Sequence, residues 1–153
     1  MKRAILLSGI LLALPVAAAA QKPSLNVVQQ CQAVLDFTSE RVGDVKAYDQ
    51  ADVKTVQKGL DAYNAFLQAE HIKPGLLEFT GGDQTAAKDY QTQIDAFKEQ
   101  IVTGLKAKHP QARIFTDQAI AINNCYEQAP MDASQTPMMK NALETIIKLA
   151  RQG

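Results

Sequence analysis

The chain has no tryptophan, only two histidines and two cysteines in 153 residues, and no excess of either charge, 16 Lys and Arg standing against 16 Asp and Glu. Each scarcity removes a class of function. The charge balance argues against nucleic acid, because displacing counterions from phosphates needs a concentrated basic face. The local basic group Lys106, Lys108 and Arg113 reads as solvated helix ends, where cations are favoured. Any metal or acid-base proposal must use His71 or His109, and Glu70-His71 lacks the E-x-x-H spacing of di-iron bundles. Two cysteines provide no C-x-x-C for thiol exchange, no C-x-x-C-H for covalent haem and no second pair for structural zinc.

Nucleophilic chemistry finds no foothold either. Beyond the first twenty residues the serines are Ser24, Ser39 and Ser134, none in a G-x-S-x-G or S-x-x-K context. The carboxylates, Asp44, Asp49 and Asp52 among them, are spread as solvated surface charges are. Gly81-Gly82-Asp83 lacks the lysine and the preceding strand of a phosphate loop, and reads as a turn followed by a helix cap. No catalytic residue, metal or cofactor is assigned, and the expectation is a non-enzymatic protein.

A long apolar run occurs once, at the N-terminus. Lys2 and Arg3 lead into Ile5-Leu6-Leu7 and Leu11-Leu12-Ala13-Leu14, and Ala18 and Ala20 fit an A-x-A cleavage site before Gln21. This is the pattern of a secretory signal peptide over residues 1–20, too short for a permanent anchor and with no nearby cysteine to take a lipid. A periplasmic protein with no membrane span is expected. Residues 21–153 are then read as one α-helical domain, and loss of Lys2 and Arg3 takes the basic count from 16 to 14 against 16 acids, a formal net charge of −2. In an oxidising compartment Cys31 and Cys125 are expected to form one disulfide.

Hydrophobic periodicity predicts an all-α, up-and-down bundle of four to five helices stapled by that disulfide. The first helix runs from about Ser24 to Lys46 with the stripe Val28, Cys31, Leu35, Thr38, Val42 and Val45. The second starts at the Asp49 cap, carries Val53, Val56, Leu60, Tyr63 and Leu67, and is expected to stop at Pro74-Gly75. The third starts near Asp83, is expected to bury Tyr90, Ile94, Phe97, Ile101 and Leu105, and ends at His109-Pro110. The fourth carries Phe115, Ala119, Ile122, Cys125 and Tyr126. The fifth opens with Thr136 as cap and Pro137 as first helical residue, burying Met139, Leu143, Ile146 and Ile147. In this topology Cys31 and Cys125 fall near the same end of the bundle, while His71 and His109 fall at opposite ends, about 35 Å apart by helix rise.

The irregular stretch between the second and third helices is unusual in carrying Leu76, Leu77 and Phe79 between Pro74-Gly75 and Gly81-Gly82. Either these side chains plug the end of the bundle, or they form a partner-binding loop. The functional expectation is a protein that binds another envelope protein in an inhibitory, immunity, accessory or stress role. The alternative is a small-molecule or haem carrier, with Tyr63, Tyr90, Phe97 and Tyr126 lining a cavity and His109 with Met131, Met138 or Met139 as axial ligands. The oligomeric state stays open.

Overall fold

The computed structural model describes residues 22–152, so the proposed leader and its cleavage position lie outside the described residues. Six α-helices follow one another: α1 (Leu25–Asp44), α2 (Gln50–Leu67), α3 (Lys73–Phe79), α4 (Gln84–Lys108), α5 (Thr116–Gln128) and α6 (Thr136–Ala150). No strand occurs among the described residues. Side-chain caps start three of them by satisfying amides that lack a helical partner. Ser24 Oγ accepts from the Val27 amide at 3.3 Å, Asp49 from Ala51 and Asp52 at 2.8 and 3.2 Å, and Asp83 from Thr85 and Ala86 at 2.9 and 3.0 Å. The sixth helix begins one residue earlier than expected. Its cap is Gln135, and Thr136 lies inside the first turn with its hydroxyl 2.7 Å from that of Tyr126.

Pro74-Gly75 does not stop the second helix. A π turn over Gln68–Ile72 joins α2 to α3 without a break, so residues 50–79 form one continuous helix. Proline removes one amide and crowds the carbonyl four residues back. Widening the turn accommodates this, and the Lys73 amide bonds to the Gln68 carbonyl five residues back. The helix ends instead at Gly81-Gly82, whose φ values of +62° and +89° suit glycine. Gly82 donates to Leu77 O at 2.8 Å and Gly81 to Glu78 O at 3.2 Å, the paired bonds of a Schellman stop.

Four helices close a ring. α1 packs on α2, α2 on α6, α6 on α5 and α5 on α1, each pair antiparallel. The pairings Asn64 with Asp36 and Gln57 with Ser39 run in opposite directions along α1 and α2. Lys148 pairs with Asp52 and Ala142 faces Gly59 across α2 and α6. Inside the ring sit Leu35, Val42, Val56, Leu60, Tyr63, Leu67, Ile122, Met139, Ile146 and Leu149, none more than 1% exposed. The Cys31–Cys125 disulfide, with Cα atoms 5.6 Å apart, ties α1 to α5 as expected. The ring is tightest at Gly59, where an added Cβ would lie 2.5 Å from Ala142 Cβ and 3.2 Å from Met138 O. Gly59→Ala is therefore expected to lower unfolding free energy by about 1–3 kcal/mol despite alanine's better helix propensity, read from the denaturant midpoint at unchanged slope.

The fifth rod, α4, lies outside this ring. It runs parallel to α1, because Gln29, Asp36 and Glu40 meet Ile94, Lys98 and Lys106 in the same order. Of its 25 residues only Ala87 is buried. Tyr90 and Phe97, expected in the core, are 39% and 45% exposed, and Ile94, Ile101 and Leu105 are only half-buried. The cause is the surface available to it. The face of α1 and α2 beneath α4 is polar, with Asn64 donating to Asp36 at 2.6 Å and Gln68 to Gln91 at 2.8 Å, the Gln29 amide bonded to Ile94 O, and Lys98 paired with Asp36 at 2.8 Å.

Candidate functional site

The stretch read as a loop is helix, and that settles the places of its three apolar residues. Successive helix residues point about 100° apart, so Leu76 turns into the core at 3% exposure while its neighbour Leu77 turns away at 39%; Phe79, the last residue of α3, stands at 64%. The two alternatives for this stretch therefore divide by residue: Leu76 plugs the bundle end, and Leu77 and Phe79 remain on the surface.

The Schellman stop and the Asp83 cap fold α4 back sharply enough to bring Tyr90 beside Phe79, ring centroids 5.0 Å apart at 90°. This edge-to-face contact is a favourable aromatic geometry. It orients two large rings at the surface. Thr80 fixes the corner, its hydroxyl donating to Leu76 O at 2.9 Å and lying 3.0 Å from Asp83 O. On one side is a groove of about 270 Å³ between α3 and α4, floored by Leu76 and Ala87 and walled by Leu77, with Lys73 and Lys88 at its rim. On the other is a hollow of about 290 Å³ where Phe79 meets Pro23, Leu25 and His71, closed by the Lys22–Glu78 pair at 3.4 Å. An apolar centre with charged residues around it is the common anatomy of a protein-binding patch.

The other residues singled out from sequence are scattered. His71 lies in the π turn, edge-on to Phe66 at 5.5 Å, with Nδ1 buried and without a hydrogen-bond partner. Burial, and then the charge of Lys22, hold its pKa below the ordinary value, against a smaller opposing pull from Glu70. His109 caps the far end of α4, between the rings of Phe37 and Phe115, and its carbonyl accepts from Arg41. The two histidines thus sit at opposite ends of α1, as the topology predicted. Among the described residues no group of three His, Cys, Asp or Glu is placed to hold a metal.

The residues of the carrier reading are not assembled. Tyr63 and Tyr126 are neighbours in the filled ring, 5.9 Å apart. The Tyr63 hydroxyl donates to Ala129 O at 3.1 Å, and burial followed by Tyr126 pushes its pKa well above the ordinary range. Tyr90 and Phe97 are on α4, outside the ring. Met131 and Met139 are core residues at 6% and 1% exposure. Met138 and Met139 start α6, whose opposite end pairs with Asp52 on the His109 side of the bundle, so no methionine of this helix is brought to His109. A groove of about 430 Å³ between α5 and α6 is open to solvent beside Ile120 and Arg151.

Comparison with known proteins finds no family, no curated protein and no solved structure that matches this chain. Among the described residues, no helix is long and apolar enough to cross a membrane. The disulfide and that absence are compatible with an exported protein. The sequence shows the corner of Leu77, Phe79 and Tyr90 only in part: the apolar residues between two glycine signals stand out, whereas the periodicity of Tyr90 is that of a buried stripe.

Proposed function

We propose that this protein is a small, exported, non-enzymatic helical bundle that works in the periplasm by binding another envelope protein through the corner of Leu77, Phe79 and Tyr90. The observation that carries the reading is that one capped helical turn leaves three large apolar side chains exposed, Phe79 edge-to-face with Tyr90 and Leu77 on the wall of the neighbouring groove, on a chain whose ring is already closed by other residues. Exposed aromatic anchors are the residues on which binding energy concentrates. The N-terminal sequence and the disulfide support the compartment. Inhibitory, immunity, accessory and stress roles all use such a patch, and the identity of the partner decides among them.

Leu77→Ser with Phe79→Ser is the test. Both side chains are outside the core, so the double variant is expected to keep its unfolding free energy within about 1 kcal/mol. It is expected to lose its partner, read as loss of the complex isolated from the periplasm. Strong destabilisation would show instead that the two residues plug the bundle, and retained binding would place the partner elsewhere. The carrier reading finds less support, since its four aromatic residues divide between the filled ring and the outer helix.

A further inference from the structure

We infer that His71 is a proton-operated latch on the hollow behind Phe79: neutral, it packs the N-terminal segment and Phe79 in the arrangement described, and protonated it leaves that packing and loosens the inner side of the corner. The hollow is built on one helix face. His71, Gly75 and Phe79 follow one another at four-residue intervals across the π turn and α3, and all three line it. Lys22, Pro23 and Leu25 lie over them from the other side. The fit is closest at Gly75, where an added Cβ would stand 2.6 Å from Leu25 Cδ2. Phe79 is shared, because it walls this hollow and also makes the edge-to-face contact with Tyr90 at 5.0 Å.

The imidazole sits where only a neutral ring is accommodated. It stands edge-on to Phe66, ring centroids 5.5 Å apart, and Nδ1 is buried with no hydrogen-bond partner. In the cation both ring nitrogens carry hydrogen, so protonation leaves a charged Nδ1–H facing no acceptor whichever tautomer precedes it. The charges around it are few. The N-terminal segment brings Lys22, α3 brings Glu78 and the π turn brings Glu70, while Lys73 lies at the groove toward α4. The last turn of α2 carries no charge, and α1 has none before Asp36. Burial and then Lys22 disfavour the proton, against the smaller pull of Glu70. Glu78, the carboxylate that lines the hollow, is engaged with Lys22 at 3.4 Å. A protonated ring that leaves Phe66 has Glu78 as the acceptor the hollow offers, and taking it frees Lys22 and the segment that Lys22 tethers.

The direction of the pH dependence follows. The folded protein holds His71 below its ordinary value, so the closed arrangement is at full strength above about pH 6.5 and weakens as pH falls through that value. None of the residues lining the hollow is a fully buried residue of the ring, so the opening is local and leaves the bundle folded. The purpose of the latch, acid release of a partner held at the corner, rests on the reading of that corner as a docking site. Its working does not.

NMR titration of the disulfide-intact mature protein, with His109 as an internal reference, tests the proposal. His71 is expected to titrate below its ordinary value of about 6.5. The Phe79 ring and Leu25 methyl signals should move with the same midpoint, and amide protection over Gln68–Ile72 should fall at least about threefold between about pH 7.5 and about pH 5. His71→Gln keeps an uncharged polar group at the site and should abolish both responses. A His71 that titrates at or above its ordinary value overturns the latch. So does one that titrates while Phe79, Leu25 and the protection stay unchanged, and so does the same loss of protection in His71→Gln. The measurement needs no partner, so a corner that binds nothing and a latch that does not open give different results.

Discussion

Loss of the Cys31–Cys125 bridge is expected to lower the free energy of unfolding by about 4–5 kcal/mol and the melting temperature by about 10–20 °C. The bridged residues are separated by 94 positions, so the cross-link restrains most of the unfolded chain. In the folded state it joins α1 to α5, which with α2 and α6 is one of the two sides of the four-helix ring whose helices are separated by most of the chain. Both cysteines are buried, at 4% and 7% exposure, so a serine pair would add the cost of burying two hydroxyls. The cleaner comparison is therefore the oxidised wild type with Cys31→Ala/Cys125→Ala, by denaturant unfolding. A difference under about 1 kcal/mol would mean that the unfolded chain retains structure holding these segments together without the bond.

The second large effect contrasts the ring with the outer helix. Leu60→Ala, at a residue 1% exposed in the middle of α2, is expected to cost about 2–5 kcal/mol, because the side chain is enclosed and the cavity left behind collapses only in part. Phe97→Ala removes a larger side chain, yet at 45% exposure on α4 it is expected to cost less than about 1 kcal/mol. The smaller residue thus carries the larger penalty. Equal penalties would show that α4 belongs to the same packed core, and would remove the reason for treating its outer face as free for binding.

That contrast also marks what could be read from sequence. Period and caps located the helices well: Ser24, Asp49 and Asp83 do cap α1, α2 and α4, and the alternating directions of the helices place Cys31 against Cys125. Two features escaped. Pro74-Gly75 has the composition of a stop, but proline's effect can be absorbed by a π turn, and nothing in the local sequence distinguishes a helix that widens from one that ends. The stripe of α4 likewise has the period of a core helix. Period tells which residues share a face, not what surface that face will meet, and the surface offered by α1 is polar, with Gln29 and Asp36 set beneath α4. The candidate corner depends on both features, since Phe79 reaches Tyr90 only because α3 continues past Pro74 and α4 keeps Tyr90 at the surface.

Native mass spectrometry of the mature protein, released gently from its own periplasm, tests the central claim most directly, that this bundle acts by binding protein and not by enclosing a ligand. The account predicts a chain beginning at Gln21, two hydrogens lighter than its reduced form, in complexes whose added mass is protein and which disappear in the Leu77→Ser/Phe79→Ser variant. A stoichiometric small molecule on the monomer, retained by that variant, would contradict it.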